Sequence, residues 1–97
     1  MDMEALMAQA QDLQTKIAAA QDSLAQMTVK GIAENGGVVV SMTGKYDILS
    51  VVIRPEILSL GADKVSQIIT DAYKDAKAKA DLLIEKTMSA VTGSLSE

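Results

Sequence analysis

The chain has 97 residues, nine Lys and Arg against 13 Asp and Glu, and a formal net charge of −4. It holds no Cys, no His, no Phe and no Trp. That excludes disulfides, thiolate chemistry, imidazole acid–base work and the commonest metal ligand, and it leaves a core of Val, Ile, Leu, Met and Ala. One domain is expected over residues 1–97. A core this thin, on a chain this short, favours an oligomer. The N-terminus MDMEALM is acidic rather than basic and apolar, so it does not read as a signal peptide. A cytoplasmic protein is expected. The acidic balance works against nonspecific nucleic-acid binding, which draws on Lys and Arg to displace counterions.

Residues from about 2 to 27 read as one helix. Asp2 suits its cap, and Glu4 suits the positive end of its dipole. Met3, Leu6, Ala10, Leu13, Ile17, Ala20, Leu24 and Met27 recur at alternating steps of three and four, an unbroken heptad seam. The seam fits either a parallel coiled-coil dimer or packing on another long helix. A helix of about 26 residues is roughly 39 Å long, whereas a six-residue strand covers only about 20 Å. Part of the helix must therefore project beyond any sheet.

The stretch Val29–Leu58 reads differently. It holds four of the six glycines, Gly31, Gly36, Gly37 and Gly44, and the only proline, Pro55. Strands are expected over about 29–34, 38–43 and 48–54. Asn35-Gly36 signals a tight hairpin turn, and Gly44–Asp47 a second one. Alternation places Val38, Val40 and Met42 on one face of the second strand. It places Leu49, Val51 and Ile53 on one face of the third, with Ile48, Ser50 and Val52 on the other. Pro55 ends the pairing and suits the first turn of a short helix.

Asp63 can cap a second long helix over about 64–91. Its apolar face is Val65, Ile69, Ala72, Ala76, Ala80 and Leu83, with Ile68 and Ile84 at the margins. The Ala run suits close approach to a second helix in a narrow arm. Residues 92–97 read as a frayed tail. The fold class is therefore α+β: an α-β-β-β-α subunit with a three-stranded antiparallel meander between two long helices.

The ordered set Val29-x-Gly31, Gly36, Val38-x-Val40-x-Met42, Gly44, Val51-x-Ile53-x-Pro55 and Leu58 resembles the YbaB/EbfC family of small bacterial nucleoid-associated proteins. The flanks agree, with Met7-x-x-Ala10-Gln11 in the first helix and Ala72-Tyr73-x-Asp75-Ala76 in the second. The resemblance implies a homodimer joined through its sheets, with paired helices projecting as arms that grip duplex DNA. It implies no enzyme activity and no cofactor or metal.

On that reading the seam draws on Val38, Val40, Met42, Val51 and Ile53. The DNA-facing cations are Lys16, Lys64, Lys74, Lys77, Lys79 and Lys86. The same charges also fit a solvated, ion-paired surface, because Asp75–Lys79 and Lys77–Asp81 are opposite charges at i,i+4. In that case the arms would hold a protein partner instead. Asp71, Asp75, Asp81 and Glu85 share helical spacing but read as solvated carboxylates rather than a cation site. Tyr46 reads as a turn residue and Tyr73 as a helix residue at the sheet edge.

Overall fold

A computed structural model describes residues 2–95, with side chains through residue 91. The chain runs α1 (Met3–Gln26), β1 (Thr28–Ala33), β2 (Val38–Thr43), β3 (Ile48–Ile53), α2 (Pro55–Leu58) and α3 (Ala62–Leu95). The strands form one antiparallel sheet in the order β1-β2-β3. The α-β-β-β-α order expected from the sequence is the order observed. The molecule is long and thin, 68 × 19 × 16 Å.

Local chemistry sets the element ends. The Asp2 carboxylate accepts from the Glu4 amide at 3.1 Å and caps α1. Gly61, with φ +94°, precedes α3, and its carbonyl accepts from the Val65 amide. Asp63 therefore sits inside the first turn of α3 rather than capping it. There it still favours the positive end of the helix dipole. Helix α3 continues through Thr92 and Gly93 to Leu95. These are weak helix formers, but without a proline their cost is only about 1 kcal/mol each. The frayed tail expected from 92 onward is helix as far as Leu95, and residues 96 and 97 lie outside the described residues.

The Asn35-Gly36 turn is longer than a two-residue hairpin. Ala33 pairs with Val38, and a short 3₁₀ turn over Glu34–Gly36 fills the gap. Glu34, Asn35 and Gly36 all have positive φ.

The core lies where α3 crosses β1 and β2. Val38, Val40 and Met42 point beneath Ile68, Ala72, Ala76 and Ala80, all of them buried. Ile68 thus stands at the centre of the α3 face, not at its margin. The Ala run serves the sheet rather than a second helix. Gly31 lies directly under it, and a Cβ there would press on the Ala72 carbonyl and the Ala76 amide. Glycine on β1 and alanine on α3 together let helix and strand backbones come into contact.

Helix α1 runs antiparallel to α3. Leu24 and Ala20 are its buried residues. Its C-terminal end is tied to the β2–β3 turn, where the Gly44 amide donates to the Leu24 and Met27 carbonyls.

Strand β3 is covered least. Its register with β2 slips beside Ser41 and Met42: Ser50 pairs with Ser41, but Ile48 pairs with Met42. Leu49 is the extra residue of a β-bulge. The slip moves Ile48 onto the α3 side of the sheet, together with Val51 and Ile53. Simple alternation had placed it on the opposite face.

Candidate nucleic-acid interface

The arm is built from the outer parts of α1 and α3. Beyond the sheet the two helices face each other along Lys16, Ala19, Ala20 and Ser23 on one side and Thr87, Ala90 and Val91 on the other. Nearer the sheet Leu24 and Gln21 face Ile84 and Met88. The heptad seam of α1 therefore meets α3 of the same chain over its inner half. At 1.5 Å per residue α3 is roughly 51 Å long, so it supports both the sheet and the arm.

The six lysines expected to face DNA fall into two groups. Three are held by carboxylates. Lys16 lies 3.1 Å from Asp12, Lys77 3.6 Å from Asp81, and Lys79 3.1 Å from Asp75. Among the described residues Lys64, Lys74 and Lys86 form no ion pair and are exposed. Lys74 sits opposite the buried Ala face at 100° per residue. Lys64 lies in the first turn of α3 and Lys86 well out on the arm, about 33 Å apart.

Two of the held lysines have structural work. The Asp75 carboxylate accepts from the Ile32 amide at 2.9 Å, and the Lys79 ammonium donates to the Lys30 carbonyl at 2.7 Å. Both backbone groups lie on the outer edge of β1. The Asp75–Lys79 pair thus stands in for a neighbouring strand, offering one acceptor and one donor. The Ile32 amide, and after it the Lys79 ammonium, hold the Asp75 carboxyl below its usual value of 3.8.

Lys77 belongs to a second cluster. Tyr46, in the left-handed region at φ 69°, donates its hydroxyl to Asp81, and Lys77 stands 5.8 Å above the Tyr46 ring. The hydrogen bond to Asp81 raises the Tyr46 hydroxyl above 10.0, with desolvation and the Asp81 charge acting in the same direction. This cluster ties the β2–β3 turn to α3 where the arm leaves the sheet. Tyr73 is exposed on the same helix.

Three cations on the sheet platform escaped the sequence reading: Lys30, Lys45 and Arg54. Lys30 lies on the sheet face away from α3, since its neighbour Gly31 faces that helix, and it pairs across to Ser41 and Ser50 beyond. Arg54 reaches over the β1–β2 turn at Gly36. Strand alternation assigns Lys30 to the open face, so that position was readable from its spacing to Gly31.

Of the residues expected at a dimer seam, Val38, Val40 and Met42 are buried under the chain's own α3, Ile53 is half-buried and Val51 is exposed. Among the described residues no group of three or more carboxylates is arranged to hold a metal. No helix among them is long and apolar enough to cross a membrane.

Two long helices on a small antiparallel sheet, with dispersed cations and a projecting arm, make an extended α+β fold. Residues 1–95 match the model of the YbaB/EbfC DNA-binding family, and the chain belongs to that family. It is 37% identical over 90 residues to a nucleoid-associated protein of Bordetella avium, covering 93% of this chain and 83% of that one. It is 34% identical over 96 residues to a nucleoid-associated protein of Chloroflexus aggregans, covering 98% and 96%. The fold is similar to that of the uncharacterized protein HP0035 from Helicobacter pylori. That match has a TM-score of 0.63 at 15% identity and covers 91% of this chain and 98% of that one.

Proposed function

We propose that the chain works as a homodimer on the nucleoid, in the cytoplasm, binding duplex DNA through its arms with little sequence preference. Membership of a DNA-binding family is the observation that carries the DNA reading. The contacts are to phosphates, which position a protein without reading base edges. Lys86 makes them on the arm, and Lys64 and Lys74 extend them along α3 over the sheet, since among the described residues no carboxylate pairs with these cations. Lys16 and Lys77 contribute less, and Lys79 is occupied at the sheet edge. The role is binding rather than catalysis.

The dimer reading is supported by β3. Ile48, Leu49, Val51 and Val52 are 53%, 58%, 42% and 58% exposed, so both sides of an apolar strand face solvent. Leaving four such half-exposed side chains bare forgoes half of the roughly 1.5–3 kcal/mol that full burial of each would give. On the α3 side, Val51 and Ile53 form the contact, with Ile48 brought beside them by the bulge. Val38, Val40 and Met42 form the floor behind it.

The test is a salt titration of duplex binding. Binding at about 50 mM salt should fall steeply as salt rises, with a slope near 0.9 per phosphate contact. Replacing Lys64, Lys74 and Lys86 together with Glu should abolish it while the dimer persists. No binding at low salt would favour a second reading, an acidic dimer whose arms hold a protein partner. The three self-neutralised lysines are the observation behind that alternative.

A further inference from the structure

The outer third of α1 is an apolar helix face that no element among the described residues covers. Met3, Leu6 and Met7 are 74%, 44% and 60% exposed. Met3 and Leu6 continue, without a break in heptad phase, the seam whose inner members Ala20 and Leu24 are buried and whose Ile17 is half-buried, and Met7 flanks it. Leu13, where bare seam meets covered seam, is itself half-buried. The interface that α1 makes with α3 thus runs on past the part of α1 that α3 covers.

The charges beside the seam select its occupant. With Met3 and Ala10 as a positions and Leu6 and Leu13 as d positions, Asp2, Gln9 and Lys16 are the g positions on one flank. Two α1 tips packed antiparallel set Leu6 against Ala10 and Met3 against Leu13, twice each. The same register sets Asp2 of each copy opposite Lys16 of the other, with the two Gln9 residues between them. A parallel pair would set Asp2 opposite Met7 and Lys16 opposite Gln21, with no charge pairing. Lys16 is the only cation on α1. It stands where an antiparallel copy delivers a carboxylate, next to its own partner Asp12.

We propose that the α1 tip binds the α1 tip of a second copy, antiparallel, in a short helix pair. Arms of separate molecules join end to end, so copies bound to different stretches of DNA become linked. The inference stands on α1 alone and does not depend on the β3 seam.

The chain has no cysteine, so disulfide trapping reads the register directly. Full-length Leu6→Cys and Ala10→Cys variants are mixed and oxidised gently, and the disulfides are identified by mass spectrometry. Antiparallel pairing predicts disulfides mainly between position 6 of one chain and position 10 of another. Adding Met3→Glu to both should cut their yield at least tenfold. Adding Val51→Asp instead should leave the yield unchanged even where it dissolves the sheet seam, which separates this inference from the dimer reading. Like-with-like disulfides at positions 6 and 10, a yield no higher than that of a surface pair such as Gln14→Cys mixed with Ala18→Cys, or a yield that Met3→Glu leaves unchanged would overturn it.

Discussion

Along β1, the outer backbone groups of Ile32 and Lys30 end on the Asp75 and Lys79 side chains of α3. Along β3, among the described hydrogen bonds, no side chain reaches the strand backbone, and most of its apolar side chains are exposed. An unpaired strand edge is a template for another chain, and proteins commonly blunt it with charge or cover it. Here one edge is closed by a charged pair that imitates a strand, while the other strand carries Ile, Leu and Val without a single charge. The contrast makes the two ends of the sheet unlike: β1 is closed by its own subunit, and β3 is left open.

The comparison breaks most completely at Gly31, where β1 touches α3. Gly31→Val should detach α3 from the sheet and cost about 3 kcal/mol or more, because the obstacle is helix backbone rather than a movable side chain. Urea unfolding followed by circular dichroism would read this as a large fall in midpoint. Val52→Thr, on the open face, should leave the midpoint nearly unchanged.

A smaller effect is expected at the clamp itself. Asp75→Asn keeps the shape but loses the charge, and should cost about 0.5–1 kcal/mol, since both side chains are half exposed. Its pH dependence has a definite sign. A carboxyl held below its usual value stabilises the fold above the unfolded value of about 3.8. That contribution is lost as pH falls through the lower, folded value. Unfolding midpoints of wild type and Asp75→Asn should therefore converge below about pH 3.8 and separate above it. A gap that stays constant down through the acid range would show that the charge plays no part in holding β1.

The smallest effect is spectroscopic. In a Tyr73→Phe variant, Tyr46 is the only tyrosine, and its alkaline titration should lie above 10.0. Adding Asp81→Asn should bring it back down. The contribution of this hydrogen bond is fully present below the ordinary tyrosine value and is lost as pH rises through the folded one.

Much of the fold was legible because its signals are periodic. The alternation Val38, Val40, Met42 and the uninterrupted Ala- and Leu-bearing runs fix the second strand and the first helix to within a residue, while the last helix runs four residues past its expected end. What stayed hidden depends on contacts far apart in sequence. Asp75 and Lys79 read as an ordinary i,i+4 surface pair, because the amide that Asp75 binds lies 43 residues away. The Ala run reads as a helix–helix seam, since its spacing is the same whether a helix or a glycine-bearing strand lies beneath it. The bulge at Leu49 leaves no mark in the alternation, so Ile48 was assigned to the wrong side. At the candidate interface, residue type identified the cations. Spacing alone pairs Lys77 and Lys79 with carboxylates; three-dimensional placement adds the Lys16–Asp12 pair, leaving Lys64, Lys74 and Lys86, and draws attention to Lys45 and Arg54.

The difference between the two edges is tested most directly by the mass of the protein in solution. Sedimentation equilibrium on Met3→Glu, which removes tip pairing, and on Met3→Glu combined with Val51→Asp, at one concentration, would decide it. The expected masses are twice the 10.2 kDa chain mass for Met3→Glu and a single chain, with its helices intact, for the double variant. A Met3→Glu monomer, or a dimer that adding Val51→Asp leaves unchanged, would contradict it.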